Sequence, residues 1–118
     1  MISLSLFRNA QTQDFNPGDK IFSAGEEGRT MYVVSEGEVD IVVGQVVAES
    51  VKPGGIFGEM ALIDGHVRSA DAVARTQCRL VLVDLRQFQF LVSETPFFAV
   101  QVMGIMAERL RHANARIK

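Results

Sequence analysis

The sequence predicts a mainly β domain, an antiparallel sandwich or jelly roll, followed by C-terminal helices. Three observations predict it. Glycines at 18, 25, 37, 44, 54, 58 and 65 punctuate short runs rich in Val and Ile, the turn-and-strand rhythm of layered β folds. After Asp84 the apolar pattern becomes helical. The 118 residues, 47% of them hydrophobic, can bury one core but not two. Residues 1–118 are therefore read as a single domain, with β structure over 13–84 and helices over 85–118.

In chain order, Ile2–Ala10 is a short lead whose Leu4, Leu6 and Phe7 suit a helical turn packed on the domain. Lys20–Ser23, Thr30–Ser35 and Val39–Val43 read as strands. Gly44-Gln45 then suits a two-residue hairpin turn leading into Val46–Val51, with glycine in the first turn position. Val39, Ile41 and Val43 share one face, opposite Asp40 and Val42, which predicts a half-buried sheet. Ser69–Arg75 alternates Ala70, Ala72 and Ala74 with Asp71, Val73 and Arg75, and inward alanines would leave space beside residues 56–73. Cys78–Val83 forms the last strand.

Asp84 suits a helix N-cap for Leu85–Ser93. Thr95 can cap a second helix with Pro96 in its first position, where a missing N–H costs nothing. Along that helix Ala99, Met103, Met106, Leu110, Ala113 and Ile117 recur at steps of four and three, a coiled-coil seam. Phe97, Phe98, Val100, Val102 and Ile105 make its first turns apolar almost all round, so it needs cover on more than one side. The β domain can cover one face and a second copy of the helix the other, with Gly104 and Ala107 permitting close approach. Arg109, Arg111, His112, Arg116 and Lys118 make the last turns basic, complementing the helix dipole.

The stretch 56–73, IFGEMALIDGHVRSADAV, carries the functional signal. Gly58 lets backbone approach a ligand, and a short helix from Glu59 through Met60, Ala61 and Leu62 would aim free N–H groups at an anion. Nine positions after Glu59 comes Arg68, a rigid fork of donors suited to two phosphate oxygens, followed by the small residues Ser69 and Ala70. Glu59 accepts hydrogen bonds only, so it would repel a phosphate and bind sugar hydroxyls. One acid for hydroxyls and one arginine for a phosphate suggest a nucleotide whose phosphate lies close to its ribose.

Phe57-Gly58-Glu59-Met60-Ala61-Leu62, then Arg68-Ser69-Ala70 and Val73-Ala74, resemble the phosphate-binding cassette of cyclic nucleotide-binding domains. Upstream, Phe15-Asn16-Pro17-Gly18, Gly25-Glu26, Met31-Tyr32-Val33-Val34 and Gly37-Glu38-Val39 resemble the family's first strands. Val67 departs from the pattern, since many members place proline before the arginine. The resemblance implies a jelly-roll β-barrel of roughly eight strands and, as ligand, cAMP or cGMP. Arg68 would hold the cyclic phosphate with the N–H groups of Ala61, Ser69 and Ala70, Glu59 would take the ribose 2′-hydroxyl, and Gly58 would lie at the sugar. It also implies that the last helix moves over the base, placing Arg109, Ala113 and Asn114 near it. A threonine at position 69 is often associated with cGMP in related kinases, so Ser69 favours cAMP.

Other functions are disfavoured. A net charge of −2 and a pI near 5.6 give no pull toward nucleic acid or anionic lipid. The longest apolar runs fall short of a membrane span and residues 1–10 lack the form of a secretion signal, which predicts a cytoplasmic protein. His66 and His112, 46 positions apart, cannot supply a cupin-type metal cluster. No Ser/His/Asp or Cys/His set suits nucleophilic catalysis, and the lone Cys78 in an apolar run reads as an inert buried thiol. No metal, no cofactor and no catalysis are expected. The expectation is a stand-alone cyclic nucleotide receptor, not a complete transcription factor, signalling to a separate effector protein and forming a homodimer through its last helix. A sensor fragment of a longer regulator, a ligand-free dimerisation scaffold and a cupin-type enzyme are the alternatives.

Overall fold

The structure, a computed structural model, describes residues 1–117, with side chains as far as Ala115. The expectations for Arg116, Ile117 and Lys118 lie outside the described residues and side chains. Eight strands form: β1 (Thr12–Phe15), β2 (Lys20–Phe22), β3 (Thr30–Glu36), β4 (Val39–Val43), β5 (Val46–Val51), β6 (Ile56–Phe57), β7 (Asp71–Ala74) and β8 (Cys78–Asp84). A 3-10 turn over Leu4–Phe7 precedes them, α1 (Glu59–Asp64) separates β6 from β7, and α2 (Leu85–Glu94) and α3 (Pro96–Ile117) follow.

The strands make two four-stranded antiparallel sheets, in the orders β1-β8-β3-β6 and β2-β7-β4-β5. Every strand-to-strand connection except the β4–β5 hairpin passes from one sheet to the other, giving the jelly-roll course. The expected class holds, but the ladder does not close into a continuous barrel. At two crossings, between β1 and β2 and between β5 and β6, the chain reads Pro17-Gly18 and Pro53-Gly54 with both glycines at positive φ. Proline has no N–H for a ladder, so pairing stops there and the sheets stay separate.

Contrary to the single core expected from length, the one domain buries two apolar clusters; the first lies between the sheets, where Phe22, Val34, Val39, Val51, Phe57 and Leu80 meet the inward alanines Ala72 and Ala74. A second lies on the other face of the β1-β8-β3-β6 sheet, where Met31, Val33, Val81 and Val83 are covered by Ile2, Phe7, Leu62, Phe98 and Val102. β3 and β8 are thus buried on both faces, which explains their near-continuous apolar runs. β1 is marked in the sequence only by the resemblance of Phe15-Asn16-Pro17-Gly18 to the family's first strands, not by its own pattern. Its sequence TQDF has no apolar alternation, and its place at the sheet edge comes from pairing with β8, Thr12 opposite Val81 through Phe15 opposite Cys78.

The hairpin turn forms at Gly44, φ +65, as expected. The register shifts between Ile41 and Val42, where β5 carries one residue more than β4, between Val47 and Glu49. The alternation of β4 itself is intact against β7, and Val43, the last residue of β4 beside the hairpin turn, is exposed, contrary to the inward face assigned to it. Asp84 caps α2 with a full capping box: its carboxylate accepts from the Gln87 N–H at 2.8 Å, and the Gln87 side chain accepts from the Asp84 N–H at 2.9 Å. The chain then turns by 116° at Thr95 into α3, and Pro96 takes the first helical position. Phe98 and Val102 of α3 are buried against the β domain, with Ile105 and Met106 packed beside them. Phe97, Val100, Met103 and Leu110 face outward. Met106, expected in the outer seam, therefore belongs with the inner face.

Candidate functional site

The chain leaves β6 and enters α1 through Gly58 at φ +79, a left-handed conformation that favours glycine. A Cβ there would also stand 2.7 Å from Arg68 Nη1 and 3.3 Å from the Thr30 carbonyl oxygen. Residues 23–29 clamp the far end of the cassette. The Arg68 N–H donates to the Glu26 carbonyl at 2.7 Å, and the Arg68 carbonyl accepts from the Gly25 N–H at 2.9 Å. Gly28 completes the clamp, since a Cβ on it would collide with the Ala61 methyl and lie 2.9 Å from Arg68 Cζ.

Arg68 is only 5% exposed. Its Nη1 donates to the Gly58 carbonyl at 2.7 Å and its Nη2 to the Thr30 carbonyl at 2.6 Å. The guanidinium carbon sits 4.1 Å from the centre of the Phe22 ring, a cation–π platform. Phe22 is braced in turn by Tyr32 and Phe57, which stack on each other at 5.0 Å and 13°. The buried Nε has no hydrogen-bond partner among the described residues. None of the ion pairs among those residues involves Arg68. Burial accordingly presses its pKa below the ordinary arginine value, against the weaker pull of Tyr32, Glu26 and Glu59.

Glu59 opens α1 and is 4% exposed. Its Oε1 accepts from Arg109 Nη1, a pairing between α1 and α3. Arg109 uses its other donors on β5 and β6. Nε meets Glu49 Oε1 at 2.7 Å, and Nη2 meets Glu49 Oε2 at 3.1 Å and the Ile56 carbonyl. Burial opposes the Arg109 charge, but its hydrogen bonds to Glu49 and the charges of Glu59 and Glu49 outweigh it and hold its pKa above the usual value.

These groups line one cavity of about 630 Å³, within the range of small-molecule sites. The expected residues Gly58, Glu59, Met60, Ala61, Arg68, Ser69, Ala70, Arg109 and Ala113 all lie in its wall. Asn114 is exposed on α3 and is not among the lining residues. The spacing of the cassette did not reveal Glu49, Phe22, Gly28 or His112. The one signal was Glu49 itself, a lone acid in the apolar run Val46–Val51. Among the described residues no group of three His, Cys, Asp or Glu side chains could hold a metal ion.

Comparison with known proteins agrees with this geometry. A CRP-like cAMP-activated global transcriptional regulator of Mycobacterium tuberculosis is 27% identical over 117 residues, 93% of this chain and 51% of that protein. The crystal structure of the Thermus thermophilus catabolite activator protein superposes with a TM-score of 0.82 at 30% identity, covering 92% of this chain and 53% of that one. An EAL enzyme solved in a cAMP-bound form (TM-score 0.67, 28% identity) and a cGMP-bound form (TM-score 0.68, 32% identity) is also similar, over 91% and 90% of this chain and 30% of the enzyme. The chain spans about half the length of the curated relatives it matches. The model of the cyclic nucleotide-binding domain matches residues 12–95. With that match running from the first strand through the second helix, the chain belongs to the cyclic nucleotide-binding domain family.

Proposed function

We propose that the chain is a receptor for a cyclic purine mononucleotide, with cAMP preferred to cGMP, and that it relays binding through α3 to a separate effector protein. Arg68 carries this reading. A cation buried without a carboxylate costs several kcal/mol, and one facing a 630 Å³ cavity with an unpartnered Nε is suited to an anion. Arg68 with the N–H groups of Ala61, Ser69 and Ala70 would hold the cyclic phosphate, with Met60 beside it. Glu59 would accept from the ribose 2′-hydroxyl, with Gly58 against the sugar. Arg109, Ala113 and Asn114 would approach the base as α3 moves. Similarity to an enzyme solved with either nucleotide supports the ligand class; Ser69 favours cAMP. The reading includes no catalysis and no nucleic-acid contact by this domain. It takes 1–118 as one unit acting in the cytoplasm, and no single described helix is long and apolar enough to cross a membrane.

The ribose role gives the test. Glu59→Gln keeps an acceptor and loses the charge, so cAMP binding is expected to weaken about tenfold while binding of 2′-deoxy-cAMP hardly changes. Equal losses for both ligands would remove Glu59 from the ribose site.

The outward face of α3 supports self-association, since Val100, Met103 and Leu110, 54%, 58% and 63% exposed, share one apolar stripe. Leu110→Glu is expected to dissociate a dimer in sedimentation and to shift cAMP affinity severalfold in calorimetry, because linked equilibria act on each other reciprocally. A wild-type monomer at all concentrations would refute the dimer. A second reading, the sensor part of a longer regulator, is favoured by the half-length match to the relatives. A coding sequence continuing in frame past Lys118 would establish it.

A further inference from the structure

Arg109 carries one positive charge and meets two carboxylates. Glu49 takes the Nε side of the fork with both of its oxygens, at 2.7 and 3.1 Å, the side-on geometry in which a guanidinium binds a carboxylate best. Only Nη1 is left to reach Glu59, and it reaches Oε1 alone. Oε2 of Glu59 takes no hydrogen bond from any described residue, although the side chain is 5% exposed and the residue lines the cavity. An ionised carboxylate has lone pairs on both oxygens. One oxygen of Glu59 is therefore committed to α3 and the other remains open to a donor in the cavity.

We infer that Glu49 is a positioning residue that keeps Oε2 of Glu59 available to a sugar hydroxyl by holding the Arg109 guanidinium in place. This rests on the cyclic nucleotide reading above and assigns a specificity role to a residue outside the cassette. Without Glu49, β5 has no other carboxylate to take the Nε side of Arg109. The fork can then turn and close on Glu59 with two parallel bonds, using both oxygens. The Arg68 guanidinium is held instead by the Gly58 and Thr30 carbonyls and the Phe22 ring, and neither Glu49 nor Arg109 is hydrogen-bonded to these. Glu49 should therefore affect hydroxyl recognition and leave phosphate recognition alone. Its position suits the test, since its side chain is 39% exposed on an edge strand, so Glu49→Gln removes charge with little change in packing.

The experiment is calorimetry of the full chain with cAMP and with 2′-deoxy-cAMP, for wild type and Glu49→Gln. Wild type is expected to prefer cAMP. In Glu49→Gln the cAMP affinity should fall roughly tenfold, the scale of one hydrogen bond to a charged group, while the 2′-deoxy affinity stays within about twofold, so the preference collapses. A structural role alone would weaken both ligands together, and an unchanged preference ratio overturns the inference. The same substitution in an Arg109→Gln background is a second check. There Glu49→Gln should leave the preference ratio unchanged, because the competing fork is gone; a further collapse would show that Glu49 acts by another route and overturn the inference. If wild type binds neither ligand, the receptor reading itself fails, an outcome distinct from binding with an unmoved ratio.

Discussion

Arg68→Ala is expected to weaken cyclic nucleotide binding by roughly ten- to a hundredfold or more, since charge-assisted hydrogen bonds contribute about 1.5–3 kcal/mol. Arg68→Lys should recover little of it. A lysine ammonium cannot donate in a planar fork to Gly58, Thr30 and a ligand together, and it would lose the flat contact with the Phe22 ring. The loss has a structural component as well, because Gly58 and Thr30 both lose a donor to their carbonyls. Comparing chemical denaturation of wild type and Arg68→Ala separates the two contributions. An alanine variant that binds as tightly as wild type would place the ligand elsewhere.

Phe98→Ala is expected to cost about 3–5 kcal/mol of unfolding free energy, the range for deleting a fully buried aromatic side chain. Phe98 is 0% exposed. It meets Phe7 edge-on at 6.4 Å and 72° and Phe88 at 5.6 Å and 67°, so one ring ties together the N-terminal turn, α2 and α3. Emptying its position leaves a cavity that three separate elements would have to collapse to fill. The midpoint of urea unfolding, with the slope checked for constancy, measures the change. A loss below about 1 kcal/mol would mean that α3 is anchored by other contacts.

The cassette was legible because its chemistry lies in one stretch. Glu59, Arg68 and the small residues around them sit at fixed offsets within 56–73, whereas the clamp by residues 23–29 and the Phe22 platform lie outside that stretch. The jelly-roll class was legible from turn glycines and short apolar runs, and the cap at Asp84 from its residue type. Non-local contacts were not. Glu49 and Arg109 are 60 residues apart, and nothing in either neighbourhood signals the other. β1 pairs along β8, and its polar sequence shows no alternation, so only the resemblance at Phe15 pointed to it. The inward turn of Met106 depends on where α3 lands on the β domain, which a periodic pattern with apolar residues on several faces does not fix. Val43 is exposed because β4 ends there, at the hairpin turn, which the alternation alone does not mark.

Cyclic nucleotide binding is proposed to rest on a buried arginine that pairs with no carboxylate among the described residues. Titration calorimetry of the wild-type chain with cAMP and, separately, with cGMP is the decisive measurement. Saturable binding of one nucleotide per chain, tighter for cAMP, is expected. Tighter binding of cGMP would overturn the base preference drawn from Ser69, and no saturable binding of either nucleotide would overturn the receptor reading.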